Sequence, residues 1–227
     1  MKSPIKSVSR RFQMLSRAAL APSIFLALLS AVAAHAATIE VFATDSAGQP
    51  VADVAVFAVS PSTTAETKNA KASIEQKDRE FIPFVSVIQQ GTTVSFPNQD
   101  PILHHVYSFS PAKNFEIKLY TGKAPSEVIF DKSGVVVLGC NIHDWMTAYV
   151  VVVPTPYFAR TDATGMARLR DVPAGSYEIR AWHPMQRAAL VPYPLAVDAR
   201  ASAKATFTFD LVSRKPRYKP PLDRLRY

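Results

Sequence analysis

Side chains able to hold a soft or borderline metal ion are concentrated in two short stretches of this 227-residue chain. "GCNIHDWM", residues 139–146, contains the only cysteine, Cys140, followed three positions later by His143 and three after that by Met146. "FPNQDPILHHVYSF" sets His104 and His105 side by side at the start of an alternating segment, directly after a polar turn. One cysteine cannot form an intramolecular disulfide, and a lone thiol in an exported chain calls for burial, pairing between chains or a metal. Burial as a small hydrophobe would account for Cys140 alone. It does not account for an imidazole and a thioether placed behind it in one loop.

A thiolate, two imidazoles and a thioether are the donor set of a type 1 copper electron-transfer site, two His and one Cys with a weak axial Met. Thiolate and thioether suit Cu(I), and imidazole suits both oxidation states. Zinc fits less well: structural zinc prefers four Cys/His donors and catalytic zinc keeps an open water position. Strand alternation turns only one of His104 and His105 inward, and the residues alone do not say which. Paired H-x-H motifs, a G-x-S-x-G elbow, H-E-x-x-H and a phosphate loop are all missing from the sequence, which points away from an enzyme.

The elements that must position these donors read as β throughout. "TIEVFATD" and "VADVAVFAVS" alternate or run apolar around the turn "SAGQPV". "PSTTAETKNAKAS", residues 61–73, is polar and without period, so it reads as a linker. A second β block covers 74–154, punctuated by Gly91, Gly122, Gly134 and the turn Asn98-Gln99-Asp100-Pro101. A third, near 155–212, carries the turn signals "TDATG" and "VPAG" between short alternating strands. Strands at this spacing predict an all-β chain of sandwiches or barrels.

The middle block resembles the cupredoxins, the small blue-copper proteins that include plastocyanin and amicyanin. The resemblance rests on an Asn six residues before a histidine (Asn98 and His104), a valine at 106, and the late Cys140, His143, Met146 motif with an amicyanin-like gap before Met. It implies a Greek-key β-sandwich holding one type 1 copper through His104, Cys140 and His143, with Met146 axial. It also implies Asn98, His105 and Asp144 as supporting residues, Asp144 orienting the loop. Ile142, Trp145 and Leu103 would form an apolar rim over an exposed edge of His143, through which electrons leave. The family's usual Asn after the early ligand is His105 here, Leu103 replaces a Pro, and M-x-G is M-T-A. The arrangement is also similar to bacterial proteins labelled methylamine utilization proteins.

"VFATDSAGQPVADVAVFAV" and "TDATGMARLRDVPAGSYEIRAWHP" resemble parts of a carboxypeptidase regulatory-like, transthyretin-like (Ig-like) β-sandwich. They flank the copper block, so the expectation is a second small sandwich split into 37–60 and 155–212 around an inserted cupredoxin at 74–154. Such a module docks or stiffens and carries no chemistry.

Residues 1–36 have the layout of a cleaved secretory signal: five basic residues and no acid, an apolar run, and Ala34-His35-Ala36. The apolar part is too short for a stable membrane span, and "SRRF" gives only a faint twin-arginine pattern. The expected location is the periplasm. The net charge of +8 comes from this segment and from the proline-rich tail at 213–227; residues 37–213 hold 15 basic and 17 acidic side chains. A nucleic-acid partner is therefore not expected. The reading is a periplasmic carrier of single electrons between redox partner proteins, with a c-type cytochrome or a dehydrogenase as the classes implied. The alternatives are a copper-binding or delivery protein without electron transfer, and a β-sandwich interaction module without metal.

Overall fold

The computed structural model describes residues 36–61, 70–198 and 201–212. The export segment, most of the expected linker and the basic tail lie outside the described residues. Every described element is a strand, as expected. No helix among the described residues is long and apolar enough to cross a membrane.

In chain order the strands are β1 (Ala37–Asp45), β2 (Ala55–Val59), β3 (Lys71–Ser73), β4 (Glu75–Lys77), β5 (Glu80–Ile82) and β6 (Val85–Gln89). They continue with β7 (Thr92–Ser95), β8 (His104–Ser110), β9 (Lys113–Tyr120), β10 (Val128–Phe130), β11 (Gly134–Gly139) and β12 (Thr147–Val153). The last five are β13 (Phe158–Arg160), β14 (Met166–Val172), β15 (Gly175–Trp182), β16 (Tyr193–Val197) and β17 (Ala203–Phe209).

Strands from the two ends of the chain pair with each other. β1 lies between antiparallel β14 and parallel β17, and β2 lies in a four-stranded sheet ordered β13-β2-β15-β16. Alternation along β1 sends Ile39, Val41 and Ala43 into a core shared with Leu169, Ile179 and Phe209. The turns are set by aspartates: Asp45 Oδ1 accepts the Ala47 and Gln49 N–H groups, and Asp162 Oδ1 accepts that of Thr164. Gly165 has φ +73°, and a Cβ there would sit 2.4 Å from the Ala43 carbonyl, so a side chain is excluded on two counts.

The middle strands form a second sandwich. One sheet is β10-β7-β3 and the other is β6-β12-β11-β8-β9, with Phe96, Phe130, Val136 and Leu138 in the core between them. Residues 71–73, expected in the linker, are strand β3, paired in parallel with β7. Three polar or small residues at a sheet edge leave no alternating signal, which is why composition misses this strand.

"TAYVVVV" is apolar without alternation because β12 is covered on both faces. Val150 and Val152 face the middle core. Val151 and Val153 meet Ala55 and Val85 in a third cluster, with Phe57, Phe84, Tyr149 and Trp182 packed against it. The sheet of β2 is thereby packed on the sheet of β12. Tyr149 sits edge-on to Phe84 and 5.6 Å from the Trp182 ring.

Candidate metal centre

His104 opens β8, and Cys140 follows directly after β11, its neighbour in the sheet. The loop from Cys140 to Met146 closes on itself: Met146 N–H donates to the His143 carbonyl at 2.9 Å and Cys140 N–H to the Met146 carbonyl at 3.3 Å. Both bonds turn His143 back over the strand ends. The result is three donor atoms at one point: Nδ1 of His104 and of His143 lie 3.2 Å apart, and Cys140 Sγ is 4.0 Å and 3.7 Å from them. Both imidazoles are fully buried and Cys140 is 3 % exposed.

This triangle fits a metal. A point equidistant from the three atoms lies about 2.1 Å from each, the length of a metal–imidazole bond. Burial, followed by the neighbouring His104 and Arg79, pushes the His143 imidazolium down to a pKa of about 4, so this ring is neutral at pH 7 and carries a lone pair on one of its nitrogens.

Met146 is buried in the same apolar cluster as Cys140 and ends the loop. His105 follows His104 on β8 but faces the other side of the sheet, where its Nε2 meets Glu116 Oε1 at 2.9 Å and its ring lies 5.6 Å from Tyr107. Asn98 works as a brace rather than at the donors. Its Nδ2 donates to the carbonyls of Ile102 and Tyr120 at 2.8 and 2.9 Å, and its Oδ1 accepts the Asp100 N–H at 2.9 Å. Asp144 is exposed at the loop tip.

The apolar rim differs from expectation. Leu103 is 47 % exposed and Ile142 and Trp145 are half-buried, but His143 has no exposed edge. The indole of Trp145 lies beside it, tilted by 49° with centroids 5.1 Å apart, and is held by donating Nε1–H to the Arg79 carbonyl at 3.2 Å, with the Arg79 guanidinium 5.8 Å from the ring centroid. The expectation of an exposed His143 edge is therefore corrected: the tryptophan closes that side of the ring.

Asp100 belongs to the site, and the reading of the sequence passed over it. Its Oδ2 lies 2.7 Å from His104 Nε2. The two carboxylate oxygens also accept the N–H groups of Asp78 and Arg79 at 2.7 and 2.8 Å. Burial acts to raise this carboxyl's pKa, but the His104 hydrogen bond and those two backbone donors outweigh it and hold the group below its ordinary value. In the sequence it reads as one polar residue of an N-Q-D-P turn. A carboxylate four positions before a candidate ligand histidine was the available signal.

No family model matches the chain, and no curated protein matches it in sequence. Among solved structures, a purple cupredoxin from Nitrosopumilus maritimus is similar over 36 % of this chain and 99 % of its own, at 24 % identity and a TM-score of 0.32. A reduced Cu(I) mutant of amicyanin aligns over 42 % of this chain and 98 % of its own, at 19 % identity and a TM-score of 0.34. A copper-containing nitrite reductase from Thermus scotoductus aligns over 50 % of this chain at 22 % identity and a TM-score of 0.35, and this chain spans 28 % of that protein.

Proposed function

We propose that this chain is a periplasmic type 1 copper protein that carries single electrons between redox partner proteins. The observation that carries the reading is the convergence of Cys140 Sγ with the Nδ1 atoms of His104 and His143 at a buried point. In this reading those three side chains would hold the metal, and the Met146 thioether would add a fourth, weaker donor. Copper would supply one-electron oxidation and reduction; the protein supplies a fixed donor geometry and keeps water away from it. Burial of all four side chains supports carriage over delivery, because handing a metal on requires reachable ligands, and over catalysis, which needs room for a substrate.

The outer sandwich is, in this reading, a carboxypeptidase regulatory-like module that stiffens the copper-bearing one through the cluster at Val151 and Val153 and presents a surface to partners. A c-type cytochrome or a dehydrogenase is the class of partner that matches the proposed role. Export follows from the N-terminal signal pattern, with cleavage near Ala36.

The test is Cu(II) titration of the folded protein. One equivalent should produce an intense visible thiolate-to-copper band, absent from Cys140→Ser, and voltammetry should give a reversible couple. A weak band with ready loss of copper to a chelator would favour delivery, and no uptake would leave an interaction module.

A further inference from the structure

We propose that Asp100 is the positioning residue of this centre: its carboxylate fixes which nitrogen His104 presents to the metal and ties that histidine to the turn of the β4–β5 hairpin. The proposal rests on the copper reading above. An ionised carboxylate only accepts hydrogen bonds. With Oδ2 at 2.7 Å, His104 carries its proton on Nε2. Nδ1 then keeps its lone pair, aimed at the point it shares with Cys140 and His143. A carboxylate on the far nitrogen also makes the near one a stronger donor and holds the ring plane.

The same carboxylate stabilises a turn that has no glycine. Asp78 and Arg79 both have left-handed φ values, 54° and 59°, as a two-residue hairpin turn of this hand requires. Their N–H groups both end on Asp100. Asp100 is itself placed by Asn98, whose amide closes the 98–102 loop from inside, so its position is set by the fold before any metal arrives. The Arg79 carbonyl in turn holds Trp145 against His143. Both histidines are thus referred to one two-residue turn, His104 through Asp100 and His143 through Trp145.

The test is Asp100→Ala in the full chain, because an asparagine would turn its oxygen to the Oδ2 position, which takes both the Arg79 N–H and His104 Nε2, and so keep the contact. With no acceptor facing Nε2, nothing holds the His104 proton away from Nδ1, the metal-facing atom. Cu(II) affinity, measured by chelator competition, should fall roughly 10–100-fold, with a displaced visible band. Support for the turn alone is separated by repeating the change in an Asp78→Asn, Arg79→Gly background, where Asn-Gly adopts this turn without help. A persisting affinity loss there, with the displaced visible band, supports the proposal. A loss that disappears in that background, or Asp100→Ala binding Cu(II) like the parent, overturns it and leaves the copper reading intact. Failure of the unaltered protein to take up Cu(II) overturns both.

Discussion

The Trp145 indole lies 5.1 Å from the His143 imidazole, centroid to centroid, and closes the side of the ring that would otherwise face solvent. Two anchors hold it, the Nε1–H bond to the Arg79 carbonyl and the guanidinium near its face. The half-buried outer part of this indole, with Ile142 and exposed Leu103, is the surface a redox partner would touch in the proposed function.

Trp145→Ala should consequently act on metal retention as well as on stability. Removing a half-buried indole costs about 2 kcal/mol, below the range for a fully buried one, and should appear as a lower urea midpoint of the metal-free protein. Copper should also pass to a chelator several-fold faster, because the donors gain a path to water. Unchanged release kinetics would mean that the indole is packing and not a cover.

His105→Ala separates the two adjacent histidines. His105 bonds to Glu116 on the opposite face from the donors, so its loss should cost about 1 kcal/mol of stability and leave Cu(II) affinity within about threefold. Chelator competition reads this directly. Abolished binding would make His105 the ligand in place of His104.

The metal-free protein should lose stability in mild acid. The His143 pKa is depressed to about 4 by burial and then by His104 and Arg79, while the unfolded chain keeps the ordinary 6.5. Between those values the unfolded state binds more protons, so stability is full above about pH 6.5 and falls steadily toward pH 4. His183, depressed chiefly by burial, acts in the same direction. Urea midpoints measured from pH 7.5 to 4 should decline, and His143→Gln should flatten the curve in part.

Gly165→Ala tests the outer sandwich separately from the metal. A left-handed φ and a Cβ 2.4 Å from the Ala43 carbonyl predict a loss of about 2 kcal/mol or more in urea unfolding. Copper stoichiometry should stay at one, since Gly165 lies in the sandwich that holds none of the donors.

What the sequence discloses here follows the range of each interaction. Alternation in "TIEVFATD" and the aspartate-led turns are local, so the all-β character was legible residue by residue. The intervals from Cys140 to Met146 are local too, and they announce a donor loop. That His104 meets this loop across 36 residues is a pairing of β8 with β11, suggested only by the likeness to a family motif. Asp100 was hidden because its partners, Asp78 and Arg79, sit more than twenty positions away in a hairpin turn that lacks the usual glycine. The unbroken apolar run of β12 gave no hint of which valine faces which sandwich. That division exists only once the two sandwiches pack.

If one metal sits among Cys140, His104 and His143, X-ray absorption at the copper edge of the loaded protein will register those donors. One short sulfur and two imidazole nitrogens are expected around the copper, with the sulfur lost in Cys140→Ser. A shell of oxygen and nitrogen only, unchanged by that substitution, would contradict it.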